Sequence, residues 1–206
     1  DAIVMSGVDI NSSQALAINV PAVSLRSTYS LNGEPFPVSQ YERAFFSLRN
    51  PESDDTVELG WCYDQYHSTM VVSGVYDVVY AYTQGAAIPQ NQDAVVMSDV
   101  DISSRRGLPI DVPAVTVTSS YNLNGESFPV SIYDKAFFSL RNPDSGDTVE
   151  LGDSNDQSHS TLVIPGVYDV VYAHVQGFVP QNRGAVVMSD VDISSSQALA
   201  VDVPAV

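Results

Sequence analysis

Two histidines stand where a catalytic base or a metal ligand could stand. His67 and His159 occupy equivalent places in the segments DQYHST and DQSHST, each three residues after an aspartate, Asp64 or Asp156. An aspartate and a histidine at that spacing can begin a metal site, or a general base with the group that orients it. No nucleophile motif, metal motif or phosphate-cradling glycine loop completes the set. A turn histidine bonded to backbone or solvent is therefore the favoured interpretation, and we predict that the chain is not an enzyme.

Repeated aspartate pairs offer a second kind of chemistry. In the segment Asp-Val-Asp the two carboxylates are two residues apart, so in a strand they face the same side. Such oxygen ligands suit calcium at a domain junction, with backbone carbonyls completing the shell. The alternative, which we favour, is that these charges guard an edge strand against aggregation. The candidate calcium ligands are Asp99, Asp101, Asp190 and Asp192.

One loop differs sharply between the two halves of the chain. WCYDQYH at residues 61–67 becomes DSNDQSH at residues 153–159, so three rings replace small polar side chains. The rest of the scaffold is shared, and the rings are therefore not needed to fold it. Exposed aromatic side chains mark contact surfaces for a protein or for the face of a sugar ring, whereas the alternative is packing within the loop. We predict a contact surface at Trp61, Tyr63 and Tyr66.

Charge and composition exclude two classes of partner. Eight basic and 25 acidic residues give a formal net charge of −17, and Lys135 is the single lysine. This field repels nucleic-acid phosphates and anionic membrane surfaces. No apolar run approaches the roughly 20 residues that a membrane-spanning helix needs. We expect no nucleic-acid binding and no membrane insertion. Cys62 is replaced by Ser154 in the second copy, so the repeat does not depend on it.

An internal repeat decides the architecture. DAIVMSGVDI at Asp1 recurs as DAVVMSDVDI at Asp93 and as GAVVMSDVDI at Gly184, with separations of 92 and then 91 residues. A period of about 90 residues is too long for a solenoid and suits a whole sandwich domain. We therefore divide the chain into an orphan quarter-repeat (1–23), a first β-sandwich (24–115) and a second β-sandwich (116–206).

Alternation and turn residues give the strands within each unit. In the second unit the predicted strands are VTVTSSYNL, AFFSLRN, TVELG, STLVI, VYDVVYAHV, AVVMSDVDI and ALAVDV. Both faces of VYDVVYAHV are at least half apolar, which predicts a central strand with its tyrosines packed and hydrogen-bonded. The predicted fold class is all-β, with two tandem seven-stranded immunoglobulin-like sandwiches plus an orphan N-terminal strand pair.

This order of strands and turns resembles the transthyretin-like, carboxypeptidase-regulatory-like and CnaB-type domains that occur in tandem on bacterial surface proteins. The residues that carry the resemblance are Asn124, Gly125, Gly146, Asp147, Pro165, Gly166, Tyr168 and Val170, with Asn32, Gly33, Asp55, Gly74, Tyr76 and Val78 in the first copy. The first copy departs from the pattern at Asp54 and Ser73. The resemblance implies an extracellular or cell-surface location. CnaB-type domains often carry a Lys–Asn isopeptide bond, but Lys135 is Arg43 in the first copy and arginine cannot supply that amine, so this crosslink is not expected.

These observations predict a structural repeat protein of an extracellular fibre, stalk or surface layer, whose partners are copies of itself arranged head-to-tail. The alternatives are a carbohydrate- or protein-binding adhesion module, and an accessory domain of a secreted hydrolase. The orphan segment has the strand pattern of a domain's end without the domain, and an apolar strand pair seeks an open sheet edge. It either docks on the next subunit, packs on its own first domain, or is the tail of an excised array. The candidate docking residues are Ile3, Val4, Val8, Ile10, Leu16, Ile18 and Val20.

Overall fold

The computed structural model describes residues 7–9, 15–37, 39–64, 66–104, 106–131, 133–156 and 158–205. Strand pairing falls into two sets that do not mix. The first set is β1 (Ala22–Leu31), β2 (Glu34–Pro35), β3 (Arg43–Arg49), β4 (Thr56–Trp61), β5 (His67–Val72), β6 (Gly74–Gln84), β7 (Ala94–Ile102) and β8 (Arg106–Val112). The second set is β9 (Val115–Leu123), β10 (Glu126–Ser127), β11 (Lys135–Arg141), β12 (Thr148–Asp153), β13 (His159–Val163), β14 (Gly166–Gln176), β15 (Arg183–Ile193) and β16 (Gln197–Val203).

Each set forms two four-stranded sheets. In the first unit β4, β3, β6 and β7 make one antiparallel sheet. In the other sheet β1 is central, with β5 and β2 antiparallel to it and β8 parallel to it. The second unit repeats this topology with β12, β11, β14 and β15, and with β9 between β13, β10 and β16. The all-β prediction and its seven strands per unit are confirmed, and a two-residue strand is the eighth.

The two sheets of each unit pack face to face through alternate residues of their strands. Phe46 and Leu48 of β3 are fully buried, whereas the intervening Phe45 points outward and is partly exposed. The Phe46 ring stacks on Tyr29 at a centroid distance of 4.3 Å and meets Tyr80 edge-on at 5.5 Å. The equivalent rings of the second unit, Phe138, Tyr121 and Tyr172, lie at 4.0 and 5.6 Å. The two units therefore have separate cores with equivalent packing.

Both units use the same hairpin turn after their first strand. Asn32 and Gly33 have φ values of 52° and 79°, and Asn124 and Gly125 have 53° and 79°. Two consecutive left-handed residues define the tight turn that matches the twist of a hairpin, and asparagine followed by glycine adopts it at the lowest cost. This explains why the Asn-Gly pair is a reliable marker of the unit.

Cys62 is a structural residue. It is buried, and its Sγ accepts a hydrogen bond from the backbone N–H of Ala44 at 3.3 Å. Ser154 Oγ accepts the equivalent bond from Ala136 at 3.1 Å. Burial raises the pKa of the Cys62 thiol. Thiol and hydroxyl thus perform the same bonding in the two copies.

The predicted orphan strand pair is corrected for the residues that can be described. Residues 7–9 and 15–20 belong to no strand and are exposed. Their counterparts form β7 and β8 in the first unit and β15 and β16 in the second, so both sandwiches already hold these strands. An alternating sequence forms a stable strand only when it pairs with the edge of a sheet. Ile3, Val4 and Ile10 lie outside the described residues. No helix in the described part of the chain is long and apolar enough to span a membrane.

Candidate functional site

A buried polar junction joins the two sandwiches. Asn91, in the loop that follows β6, is fully buried. Its Nδ2 donates hydrogen bonds to Asp147 Oδ2 at 2.6 Å and to the Tyr168 hydroxyl at 3.0 Å. Its Oδ1 accepts a bond from the N–H of Ile164 at 2.8 Å. One side chain of the first unit thus bonds three residues of the second.

The carboxylate of Asp147 is the centre of this junction. It is 2% exposed, and its Oδ1 accepts bonds from the N–H groups of Gln92 and Asp93, both at 2.9 Å. Burying a carboxylate is costly unless hydrogen-bond donors replace the lost water. Here the donors come from the other sandwich, together with Asn91. The buried carboxylate is therefore stable only when the two units are docked.

The core of the first unit positions the donor loop. The hydroxyl of the buried Tyr80 donates to Pro89 O at 2.7 Å, and the N–H of Tyr82 donates to Asn91 O at 2.7 Å. These bonds attach the loop to β6 immediately before the side chain that crosses the junction. Asn91 is consequently held in place before it meets the second unit.

A short turn between β11 and β12 positions the acceptor. Asn142 Oδ1 accepts bonds from the N–H groups of Asp144 and Ser145 at 2.9 and 3.0 Å. Gly146 N donates to Asn142 O at 3.0 Å, which closes the turn just before Asp147. A side chain that bonds backbone groups two and three residues on is a common turn-forming device. It fixes the direction in which the carboxylate leaves the sheet.

The donor loop also covers the edge of β13. Gln90 N donates to Leu162 O at 2.9 Å, on the same side of β13 as the Ile164 N–H that Asn91 accepts. The side chain of Ile164 packs in the hydrophobic core cluster of the first unit. An uncovered edge strand offers main-chain groups to other chains. The junction therefore combines polar bonds, apolar packing and edge protection.

The hydroxyl of Tyr168 is a neutral member of the network. Burial raises its pKa to about 12, although the bond from Asn91 acts in the opposite direction. The protonated hydroxyl donates to Ile164 O at 2.8 Å and accepts from Asn91. The packed and hydrogen-bonded tyrosines predicted for β14 are confirmed, since Tyr172 also donates to Pro180 O at 2.6 Å.

The histidine and aspartate pairs lie apart from this junction network. His159 Nδ1 is 3.8 Å from Asp156 Oδ2, and both side chains are at least one-third exposed. Asp99 and Asp190 lie at bulges with φ near 55°, where their N–H groups bond Asp77 and Asp169. Within the described ranges no three His, Cys, Asp or Glu residues form a group that could hold a metal. Calcium binding at Asp99, Asp101, Asp190 and Asp192 stays a prediction.

The predicted aromatic contact residues Trp61, Tyr63 and Tyr66 do not form one cluster. The rings of Trp61 and Tyr63 are stacked, with centroids 6.0 Å apart, and Phe45 meets Trp61 edge-on at 5.2 Å. Tyr63 also packs against the core. Tyr66 is exposed and lies under the guanidinium of Arg26, 4.5 Å from its ring centroid. Packing thus accounts for Trp61 and Tyr63, whereas the Tyr66 ring is exposed.

Sequence reasoning missed Asn91 and gave Asp147 no role at a junction. The signal was present, because Pro-Gln-Asn recurs at residues 89–91 and 180–182 beside the one-residue deletion between copies. The loop changes its length between the copies but keeps Pro-Gln-Asn, which indicates that these three residues make a specific contact. Within one unit nothing indicates what that partner is.

Comparison with protein-family models finds no match, and neither does comparison with curated proteins. Among solved structures, the TIE protein of Bacillus anthracis aligns at 12% identity and a TM-score of 0.32, over 89% of this chain and 34% of that one. The chain therefore spans about a third of that protein. The minor pilin of Streptococcus agalactiae aligns at 11% identity and a TM-score of 0.38, over 89% and 96% of the two chains. A shaft pilin of Lactobacillus rhamnosus aligns at 6% identity and a TM-score of 0.32, over 90% and 98%.

The strands and the junction themselves define the class: a tandem pair of immunoglobulin-like β-sandwiches. The two units are joined through a buried asparagine–aspartate contact.

Proposed function

We propose that the chain is a non-catalytic structural repeat protein of an extracellular fibre, stalk or surface layer, in which rigidly joined sandwiches supply reach. The observation that carries this proposal is the buried contact between Asn91 and Asp147. Domains joined by a plain linker move independently unless their interface holds them. In this chain any bending at the junction would separate the buried carboxylate of Asp147 from its hydrogen-bond donors.

Head-to-tail assembly is part of the proposal, and the N-terminal segment offers one route to it. Val8, Leu16, Ile18 and Val20 are exposed. Their equivalents 92 residues later, Val100, Leu108, Ile110 and Val112, are buried in the first sandwich. The segment thus carries side chains suited to a core, and the proposed receiver is a sheet edge of another subunit.

A second candidate function is adhesion. The first unit has the exposed ring of Tyr66 and, separately, the stacked rings of Trp61 and Tyr63, where the second unit has Ser158, Asp153 and Asn155. Such a surface suits a sugar ring or an apolar patch of a protein. A titration of the chain with soluble oligosaccharides, monitored by tryptophan fluorescence, distinguishes this function from a purely structural one.

Small-angle X-ray scattering of dilute protein tests the structural role. A rigid pair of sandwiches gives a curve that one fixed arrangement fits. The variant Asn91→Ala should require an ensemble of interdomain angles, because it removes the three bonds that the Asn91 side chain makes to the second unit. The matched control is Asn182→Ala, the same residue of the repeat at the exposed end of the second unit. If the unaltered chain itself requires an ensemble, the proposed rigid spacer is wrong.

A further inference from the structure

The two outer ends of the chain carry the two halves of the internal junction. Asn182, the equivalent of Asn91, is exposed at the end of the second unit. Asp55, Tyr76 and the edge of β5, the equivalents of Asp147, Tyr168 and the edge of β13, lie at the far end of the first unit. We propose that a second copy of this chain docks there, with its Asn182 in the place that Asn91 takes within the chain. This inference rests on the proposed structural function and names its assembly surface.

The donor half is already shaped. Tyr172 donates to Pro180 O at 2.6 Å, and the N–H of His174 donates to Asn182 O at 2.8 Å. These are the bonds that Tyr80 and Tyr82 make to the loop before Asn91. The loop therefore presents Asn182 at the outer end in the arrangement that the internal junction uses.

The acceptor half is shaped as well. Asn50 Oδ1 accepts the N–H groups of Glu52 and Ser53 at 2.9 and 3.0 Å, and Asp54 N donates to Asn50 O at 2.9 Å. This is the turn that precedes Asp147, and here it precedes Asp55. The hydroxyl of Tyr76 donates to Val72 O at 2.8 Å, as Tyr168 does to Ile164 O. Its oxygen keeps the lone pair that accepts from an asparagine in the internal junction.

The edge of β5 matches the edge of β13. Ser73 N donates to Pro21 O, so the bonds of β5 to β1 fall on alternate residues. The N–H of Val72 and the C=O of Met70 therefore face the outer side, as Ile164 N–H and Leu162 C=O do. The Met70 side chain is 65% exposed, whereas Leu162 is partly covered by the first unit. An exposed edge strand with an apolar side chain offers unpaired main-chain groups to another chain.

Charge differences between the copies favour docking of the two outer ends. The donor loop has Gln92 and Asp93 inside the chain, but Arg183 and Gly184 at the outer end, a change from −1 to +1. The acceptor turn changes in the opposite sense, from NPDSGD with two carboxylates to NPESDD with three. Opposite charges across an interface steer association and fix its orientation. Each difference makes the outer halves more complementary than the internal ones.

The N-terminal segment competes for the same place. In the docked arrangement β15 and β16 of the incoming copy would stand where β7 and β8 stand before the internal junction. Residues 1–23 are the same element of the repeat and lead directly into β1. The described residues 7–9 and 15–20 are in no strand, and in the proposed docking they compete with the incoming strands for this place. Removing residues 1–20 should therefore strengthen docking while leaving Pro21, whose carbonyl bonds Ser73, in place.

The contact joins different surfaces of the two copies, so its repetition gives an open chain of molecules. The internal junction benefits from the effective concentration that the linker provides, and the intermolecular one lacks this benefit. We therefore expect weak association, at protein concentrations of roughly 0.1 to 1 mM. This range is accessible to NMR spectroscopy and to sedimentation.

The test uses two variants that each keep one end. The Asn182→Ala chain keeps its acceptor end, and the Asp55→Ala chain keeps its donor end. ¹⁵N-labelled Asn182→Ala protein is titrated with unlabelled Asp55→Ala protein, and Tyr76→Phe serves as a second acceptor variant. We expect saturable shifts of the amide resonances of Met70, Val72 and Tyr76, and no concentration dependence for either Asp55→Ala or Asn182→Ala alone. The unaltered chain should form oligomers, and deletion of residues 1–20 should raise its association constant about tenfold.

Three results would overturn the inference: no shifts at roughly 1 mM, self-association of the Asn182→Ala variant alone, or loss of assembly on deletion of residues 1–20. The last result would assign assembly to the N-terminal segment instead. All three leave the rigid-spacer function untouched, because scattering from dilute protein tests that function separately.

Discussion

Asn91 and Tyr168 belong to different sandwiches, yet Asn91 Nδ2 lies 3.0 Å from the Tyr168 hydroxyl. Through this contact, a core tyrosine of the second unit also borders the first unit. It also links the protonation of that tyrosine to the docking of the two units, since an ionised phenol at this place would face the carboxylate of Asp147.

Alkaline pH should therefore unfold the chain by a defined mechanism. Burial raises the pKa of Tyr29, Tyr121 and Tyr168 to about 12, above the ordinary value of about 10. Between these values the folded chain holds more protons than the unfolded one. The free energy of unfolding therefore keeps its full value below about pH 10 and decreases toward pH 12. Urea unfolding between about pH 8 and 12 measures this. Tyr121→Phe should reduce the slope, whereas replacement of the exposed Tyr66 by Phe should not.

Removal of the buried carboxylate should uncouple the sandwiches. Asp147→Ala leaves two backbone N–H groups and the Asn91 amide without their acceptor, at a cost of about 3 kcal/mol in the free energy of unfolding. Two-step unfolding should replace a single cooperative transition in calorimetry. Asp55→Ala changes the same residue of the repeat at the outer end, so in dilute protein it should cost less. Equal losses for the two variants would contradict a special role for the junction.

Replacement of Cys62 by serine should be nearly neutral. Ser154 already accepts the equivalent N–H bond in the second unit, at 3.1 Å against 3.3 Å for the thiol. We expect a change of about 1 kcal/mol or less in the free energy of unfolding. Cys62→Val fills the space without an acceptor and should cost more, because the N–H of Ala44 loses its partner. Thermal melts of the two variants decide this.

Calcium should raise the melting temperature if the aspartate pairs of β7 and β15 bind it. Binding to the folded state alone stabilises by mass action. Melts in about 5 mM calcium and in chelator measure the shift, and the control is a chain with Asp99, Asp101, Asp190 and Asp192 replaced by asparagine. Identical melting temperatures would mean that these aspartates only protect an edge strand and keep the protein soluble.

The strands could be read from the sequence, but the junction could not. Alternation placed Tyr168, Val170 and Tyr172 on one face of β14, because a strand has a period of two whatever surrounds it. The structure shows that this face is the buried one. Asn91 and Asp147 are 56 residues apart and meet only through the relative placement of two units. No local pattern contains that placement. Residues 15–20 show the opposite case, since their alternation is that of β8 but no sheet edge receives them.

The parallel pairing of β8 with β1 has a consequence for biosynthesis. Leu25 pairs with Arg106, so a sandwich cannot close until its last strand has left the ribosome. Contacts between such distant positions slow folding. Three copies of that closing strand with the same apolar alternation, in residues 15–20, β8 and β16, then compete for two parallel positions beside β1 and β9. Closure of the first unit before the second is made gives each strand its own partner, and refolding of the full-length chain from denaturant should yield a larger fraction of strand-exchanged molecules.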